Sequence, residues 1–203
     1  MLAPMLARFS RENPGIRPQL VLRDLGADEH DLISRGFDLA IRPRPIAATS
    51  LIAKPIVPLP RTIVASPRYV EREGLPSSPG DLRNRNCLTP NGEGRNSWEF
   101  LGAGKKISIR VSGTFKCASS TVIRHAALEG VGIALIGEYV VEDDLRAGRL
   151  VRLLEEYAVP ERMLYVLYQR DHYQPLKSRL FIDFLVGWMK GGEEGRQRLS
   201  NFS

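Results

Sequence analysis

Cysteine is nearly absent from this 203-residue chain; the two present, Cys87 and Cys117, share no motif. They do not suggest a disulfide framework; a redox switch is the lesser reading, and both thiols read as small buried apolar groups. Histidine is as scarce. His30, His125 and His172 are scattered, and no His or Cys spacing suits a zinc site. Aromatic residues make up 7% of the chain, and nowhere do they interleave with basic residues as a platform for single-stranded nucleic acid would. No apolar run reaches the ~18 residues that a membrane span needs. The first 17 residues carry Arg8, Arg11 and Glu12 inside their apolar pattern and lack the order of a secretory leader. A cytoplasmic protein with no membrane partner is expected. A nucleophile elbow, a phosphate loop and a paired-carboxylate motif are also lacking, so neither an enzyme nor a bound cofactor finds support.

What is there suits a globular protein: 43% hydrophobic and 26% charged residues, enough for one domain or two lobes of about 100 residues. The net charge is +6, from 29 Lys and Arg against 23 Asp and Glu. These charges are dispersed, which describes a solvated surface better than a nucleic-acid footprint, and leaves room for attraction to an anionic ligand.

Helical and strand patterns alternate, predicting an α/β fold with mostly parallel sheets. Leu2, Met5, Leu6 and Phe9 share one helical face, and Asn13-Pro14-Gly15 ends that helix. Residues 17–23 alternate as a strand, 28–35 read as a short helix, and 37–42 as a buried strand, making a β–α–β unit. Ser66 and Pro67 open a helix that Gly74 closes. Ser119 or Ser120 caps another, terminated by Gly130. Residues 131–136, 150–154 and 163–168 read as strands, 138–147 as a helix closed by Gly148. A last helix presents Leu180, Phe181, Phe184, Leu185, Trp188 and Met189 at three-and-four spacing. Strands near residues 61–66 and 162–168 read as crossings between two lobes, 1–64 with 165–203 and 65–164.

Several stretches carry a family likeness in order. They are Asn13-Pro14-Gly15-Ile16, Gly36-Phe37-Asp38-Leu39-Ala40-Ile41-Arg42, Val64-Ala65-Ser66-Pro67-Arg68-Tyr69-Val70, and Trp98-Glu99-Phe100. Gly130-Val131-Gly132-Ile133-Ala134, Gly148-Arg149-Leu150-Val151 and Arg179-Leu180-Phe181-Ile182-Asp183-Phe184-Leu185 follow. In this order and spacing the chain resembles the effector-binding domain of LysR-type transcriptional regulators along nearly its whole length. The resemblance implies the type II periplasmic-binding-protein-like fold: two Rossmann-like lobes joined by two crossover strands, with a ligand cleft between them. It further implies a small-molecule effector such as an organic acid, assembly as a homodimer or tetramer, and promoter DNA bound through an N-terminal winged helix-turn-helix that this sequence lacks. A solute-binding protein of a transport system shares the fold and is the alternative.

In the family a further strand precedes the first helix and lies between the strands matched by residues 17–23 and 37–42. This sequence starts inside or just before that helix. The first lobe is therefore expected to pair those strands directly, to have the slot filled by another segment or a partner chain, or to be distorted and poorly ordered, the last being preferred.

Helix N-termini and strand C-termini that face a cleft favour carboxylates, through unsatisfied N–H groups and the helix dipole. Ser119, Ser120 and Thr121 are the leading ligand-binding candidates. Arg42 and Arg44 follow a strand and can grip an anion. Gly137, Glu138 and Tyr139 follow another strand, and Asn96 and Trp98 are weaker candidates. For each there is a plainer role: N-cap, surface charge or core ring. Met5, Leu6 and Phe9 are apolar enough to be shared between the core and a dimer interface.

Overall fold

The computed structural model describes residues 2–22, 36–43, 51–91, 96–102, 104–169 and 175–190. In chain order the elements are α1 (Leu2–Glu12), β1 (Ala40–Arg42), β2 (Leu51–Leu59), β3 (Arg61–Ala65), α2 (Pro67–Glu73), a 3-10 turn (Pro79–Asn84), β4 (Cys87–Leu88), β5 (Ser97–Gly102) and β6 (Lys105–Arg110). Then come α3 (Ser120–Leu128), β7 (Ile133–Gly137), α4 (Glu138–Arg146), β8 (Val151–Arg152), β9 (Arg162–Gln169) and α5 (Leu176–Lys190). They fall into two compact units, 1–58 with 162–203, and 59–161. Residues 59–64 belong to the second unit rather than the first because β3 is laddered to β7 there. Residues 162–164 belong to the first because they open β9, which pairs with β1.

In unit one a three-stranded sheet runs β1-β9-β2, with β1 antiparallel to β9. Met5 and Phe9, one turn apart on α1, are fully buried. Phe9 meets Phe181 and Phe184 edge-on, at 5.2 and 5.3 Å between ring centroids. That geometry adds quadrupole attraction to plain burial. On α5 the buried stripe is Ser178, Ile182 and Leu185, whereas Leu180 points to solvent. Met5 and Phe9 thus have no surface left for a dimer interface; of that trio only Leu6 is part-exposed.

The strand expected over 17–23 is absent from its described residues, 17–22, which carry no ladder. Leu20, Val21 and Leu22 are exposed. Alternation makes a strand only where a neighbour offers its edge, and among the described residues none does so. The helix expected over 28–35 lies outside the described residues.

Unit two is built on a four-stranded sheet ordered β4-β7-β3-β8. Its pleat sends alternate side chains into two cores. Ile63, Ala65, Cys87 and Ile133 face one, with Tyr69, Leu82, Trp98, Phe100 and Ile109. Val64, Leu88, Ala134 and Ile136 face the other, with Ile123, Ala126 and Ala127 of α3 and Val141 of α4. The β5–β6 hairpin covers the first core with Trp98, Phe100 and Ile109. Only β4–β7 is a parallel ladder among those with described register; β1–β9, β3–β7, β3–β8 and β5–β6 are antiparallel. The expectation of mostly parallel sheets is thereby corrected. Each strand that arrives from the other unit, β3 or β9, runs against a neighbour.

Local signals placed the helices of unit two. Ser66 caps α2 with Pro67 behind it, its hydroxyl accepting from the Tyr69 N–H. Gly130, at φ +72°, turns the chain out of α3 in the left-handed region that only glycine enters at little cost. The β4 cysteine is a structural thiol: burial pushes Cys87 up to about 12, and its Sγ–H donates to the Leu82 carbonyl.

One charge cluster sits under the second core. Asp144 is fully buried on α4 and takes hydrogen bonds from Arg124 on α3 (Nη2, 2.9 Å) and from Arg149 (Nη2, 2.7 Å; Nε, 2.9 Å). Burial pushes its carboxyl up, but hydrogen bonds from Arg124 and Arg149, and then their charges, outweigh this and hold it below the ordinary value. The native state therefore binds fewer protons here than the unfolded chain. Its stabilisation is complete above the unfolded value of about 4 and is lost as pH falls through the native one. Asp144→Ala is expected to destabilise unit two by about 2–3 kcal/mol in urea at pH 7, less than a fully buried pair because Arg149 is half exposed and can turn to water. That penalty should shrink as the pH drops below about 4; a constant penalty across the acid range would show that the charge on Asp144 contributes nothing.

Candidate functional site

The parallel pair β4–β7 sets the polarity of unit two. Cys87 and Leu88 lie beside Ile133 and Ala134, so both strands run the same way and end on the same side. Past β4, the Thr89 carbonyl accepts the Cys117 N–H (3.0 Å) and its N–H reaches the Phe115 carbonyl (3.3 Å), which delivers the chain to Ser119. Past β7, Gly137 leads directly into α4. The N-termini of α3 and α4 therefore open at the carboxyl end of the same two strands, where α/β sheets present their ligand sites.

Three hydroxyls stand at the start of α3. Ser119 is the N-cap, its Oγ accepting the Val122 N–H at 3.5 Å. Ser120 and Thr121 occupy the first two helical positions, and all three are exposed. No acidic residue lies in its first turn, so the helix carries no carboxylate of its own at its positive end.

At the start of α4 the balance differs. Glu138 sits in the first turn and forms an ion pair with Arg152 on β8. This carboxylate already occupies the favourable pole and is paired within the fold. Gly137 is the N-cap without a side chain, and the Tyr139 ring lies over it: a Cβ at 137 would come within 2.6 Å of that ring. Glycine is what lets the exposed tyrosine fold back across the turn. The Glu138 N–H is spent on the Pro60 carbonyl at 2.9 Å.

The remaining candidates are dispersed. Trp98 is 3% exposed and packs in the first core of unit two, so its ring is a packing element. Asn96 begins the β5–β6 hairpin, its carbonyl accepting from the Val111 N–H (2.8 Å). Arg42 ends β1 in unit one, half-buried and opposite Tyr165 on β9. Arg44 lies outside the described residues. Among the described residues no group of three or more His, Cys, Asp or Glu is placed to hold a metal ion, and no helix is long and apolar enough to cross a membrane.

Residues 1–190 match the family model for the LysR substrate binding domain. The chain belongs to that family. It is 30% identical over 188 residues to the transcriptional regulator CrgA of Neisseria meningitidis, covering 92% of this chain and 62% of that protein. It is likewise 30% identical over 189 residues to the transcriptional activator TtdR of Escherichia coli, covering 92% of this chain and 60% of that one. Among solved structures, that of CrgA matches with a TM-score of 0.81 over 93% of this chain and 64% of the other, at 30% identity. That of AphB, a virulence activator of Vibrio cholerae, matches at 0.78 and 30% identity over 93% and 63%. The fold is thus the type II periplasmic-binding-protein-like fold of LysR-type regulatory domains. The chain spans about three fifths of the length of the curated relatives it matches. Those relatives are transcriptional regulators rather than enzymes or transport receptors.

Within the hydroxyl trio the roles separate by geometry, which makes them separable by measurement. Ser119→Ala is expected to cost about 1 kcal/mol in chemical denaturation, the ordinary value of a lost N-cap. Ser120→Ala should change stability by less than about 0.5 kcal/mol, as exposed substitutions do. Equal costs for the two would mean that the cap is shared.

Proposed function

We propose that this chain is the effector-sensing part of a LysR-type transcriptional regulator, and that its effector is a small carboxylate held at the N-terminus of α3. The observation that carries the reading is the contrast between two helix starts at one end of the sheet. That of α3 offers exposed hydroxyls and no carboxylate of its own, whereas that of α4 is already occupied by Glu138. A ligand carboxylate on Ser120 and Thr121 would supply the charge that the α3 dipole lacks, an interaction worth roughly 0.3–1 kcal/mol when exposed and up to ~2 when partly buried. Tyr139, exposed at the start of α4, offers an aromatic surface at the same end of the sheet. Arg42 and the neighbouring Arg44 are the second choice, since Arg binds carboxylates with two parallel hydrogen bonds.

Family membership supports the wider assignment: a homodimer or tetramer acting in the cytoplasm, with promoter DNA bound through a winged helix-turn-helix outside this chain. The transport receptor of the same fold is the weaker reading, because the relatives in hand are regulators.

A thermal-shift screen with small mono- and dicarboxylic acids at pH 7 tests the effector. A true ligand at a hundredfold excess over its Kd stabilises by roughly 2.7 kcal/mol, a rise of several degrees. Replacing Ser119, Ser120 and Thr121 together by Ala should abolish that rise and leave a folded domain. A rise that survives the triple replacement moves the site to the arginine pair, and no rise with any acid overturns the carboxylate assignment.

DNA recognition is testable separately. Base readout needs an element inserted in a groove, and no described helix pairs a turn motif with a basic recognition face. In gel shifts this chain alone should show at most weak binding that is lost at ~200 mM salt. Sequence-specific binding that persists there would place the DNA-reading surface in this domain.

A further inference from the structure

The chain passes between its two units twice, after Pro58 and before Arg162. Proline dominates both passages: Pro58 and Pro60 at the first, Pro160 at the second. Proline has no N–H to donate, so at these points the backbone can only accept, and a side-chain donor adds a tie that a ladder would otherwise supply. In unit two that side chain is Arg61. Its Nε and Nη2 both donate to the Pro160 carbonyl, at 3.1 and 2.8 Å, across ninety-nine residues of sequence. Arg61 is also the first residue of β3 and lies opposite Gly137 in the antiparallel ladder. Its neighbour Pro60 accepts the N–H of Glu138, the first residue of α4. In unit one the two passages lead from β2 and into β9, which are adjacent strands of one sheet.

We infer that Arg61 is a positioning residue that couples the turn at 137–139 to both passages at once. The turn is fastened to the first passage by Glu138 and Gly137, and Arg61 fastens the first passage to the second. A movement of the turn is therefore handed to two segments in step rather than to one. The bearing of this coupling on sensing rests on the effector reading above; the coupling itself does not.

The test is a double-mutant cycle followed by amide hydrogen exchange of the full chain without ligand. Gly137→Ala disturbs the turn, because its Cβ would meet the Tyr139 ring. The Ala158 amide, bonded to the Leu101 carbonyl at 3.0 Å, reports on the second passage. The Ile133 amide, bonded to the Asn86 carbonyl at 2.9 Å, reports on the sheet as a whole. With Arg61 present, Gly137→Ala should speed exchange at Ala158 by about tenfold and leave Ile133 unchanged. In an Arg61→Ala background the same substitution should add nothing at Ala158, since neighbours that act together are non-additive. Should Arg61→Ala fail to fold, Arg61→Lys serves, keeping the charge but losing the two-pronged contact, and the Gly137→Ala effect should fall well below tenfold. An equal effect in both backgrounds, no effect with Arg61 present, or a matching rise at Ile133 would each overturn the coupling. Because no ligand is present, such a result leaves the sensing proposal standing; that proposal falls only in the thermal-shift screen.

Discussion

β7 is hydrogen-bonded on both edges, to β4 and to β3, and buried on both faces, with Ile133 in one core and Ala134 and Ile136 in the other. A strand so placed has no freedom of register, because a slip of one residue would exchange the two cores' side chains and bring Leu135, which is only part-buried, into a core position. Its end point is fixed with it. Gly137 must close the strand where it does, α4 must begin at Glu138, and Pro60 and Arg61 must lie alongside. The end of unit two at which α3 and α4 begin inherits its geometry from this single strand.

Two helices pack on that strand's second core, and their rear is joined by Asp144 with Arg124 and Arg149. The carboxylate is fully buried, so the cluster acts as a registration device more than as a source of net stability; an apolar replacement of matching shape would do comparably well in energy but would not specify the pairing of α3 with α4. Holding the rear fixed leaves the N-terminal ends of both helices aligned at the carboxyl side of β4 and β7. One of those ends carries Glu138 in its first turn, and the other has no acidic residue there. The two helix starts thus differ electrostatically while being otherwise similar.

Unit one shows the opposite situation. Its α1–α5 contact is well defined by Met5, Phe9, Ile182 and Leu185, yet its β1 is three residues long and its apolar 17–22 segment has no ladder. Helix-on-helix packing needs only two amphipathic stripes, which local sequence supplies. A sheet needs every strand to find an edge, which it does not.

Helix caps and stops were legible from sequence alone: Ser66-Pro67, Ser119, Gly74, Gly130 and Gly148 act within a turn of their own position. So was the family, carried by the spacing of short motifs from the first helix to the last. The hydroxyl cluster at 119–121 was legible too, because a cap and its exposed neighbours form a local pattern. Tertiary structure decided everything that depends on a distant partner. It put Trp98 in a core by folding the β5–β6 hairpin over the sheet, and paired Glu138 with Arg152. It left residues 17–22 without a ladder and made the ladders of described register largely antiparallel. It gave Arg61 a partner ninety-nine residues away. Hydrophobic period and capping chemistry are properties of neighbours along the chain; ion pairs and strand edges are properties of neighbours in space, and no local pattern encodes them.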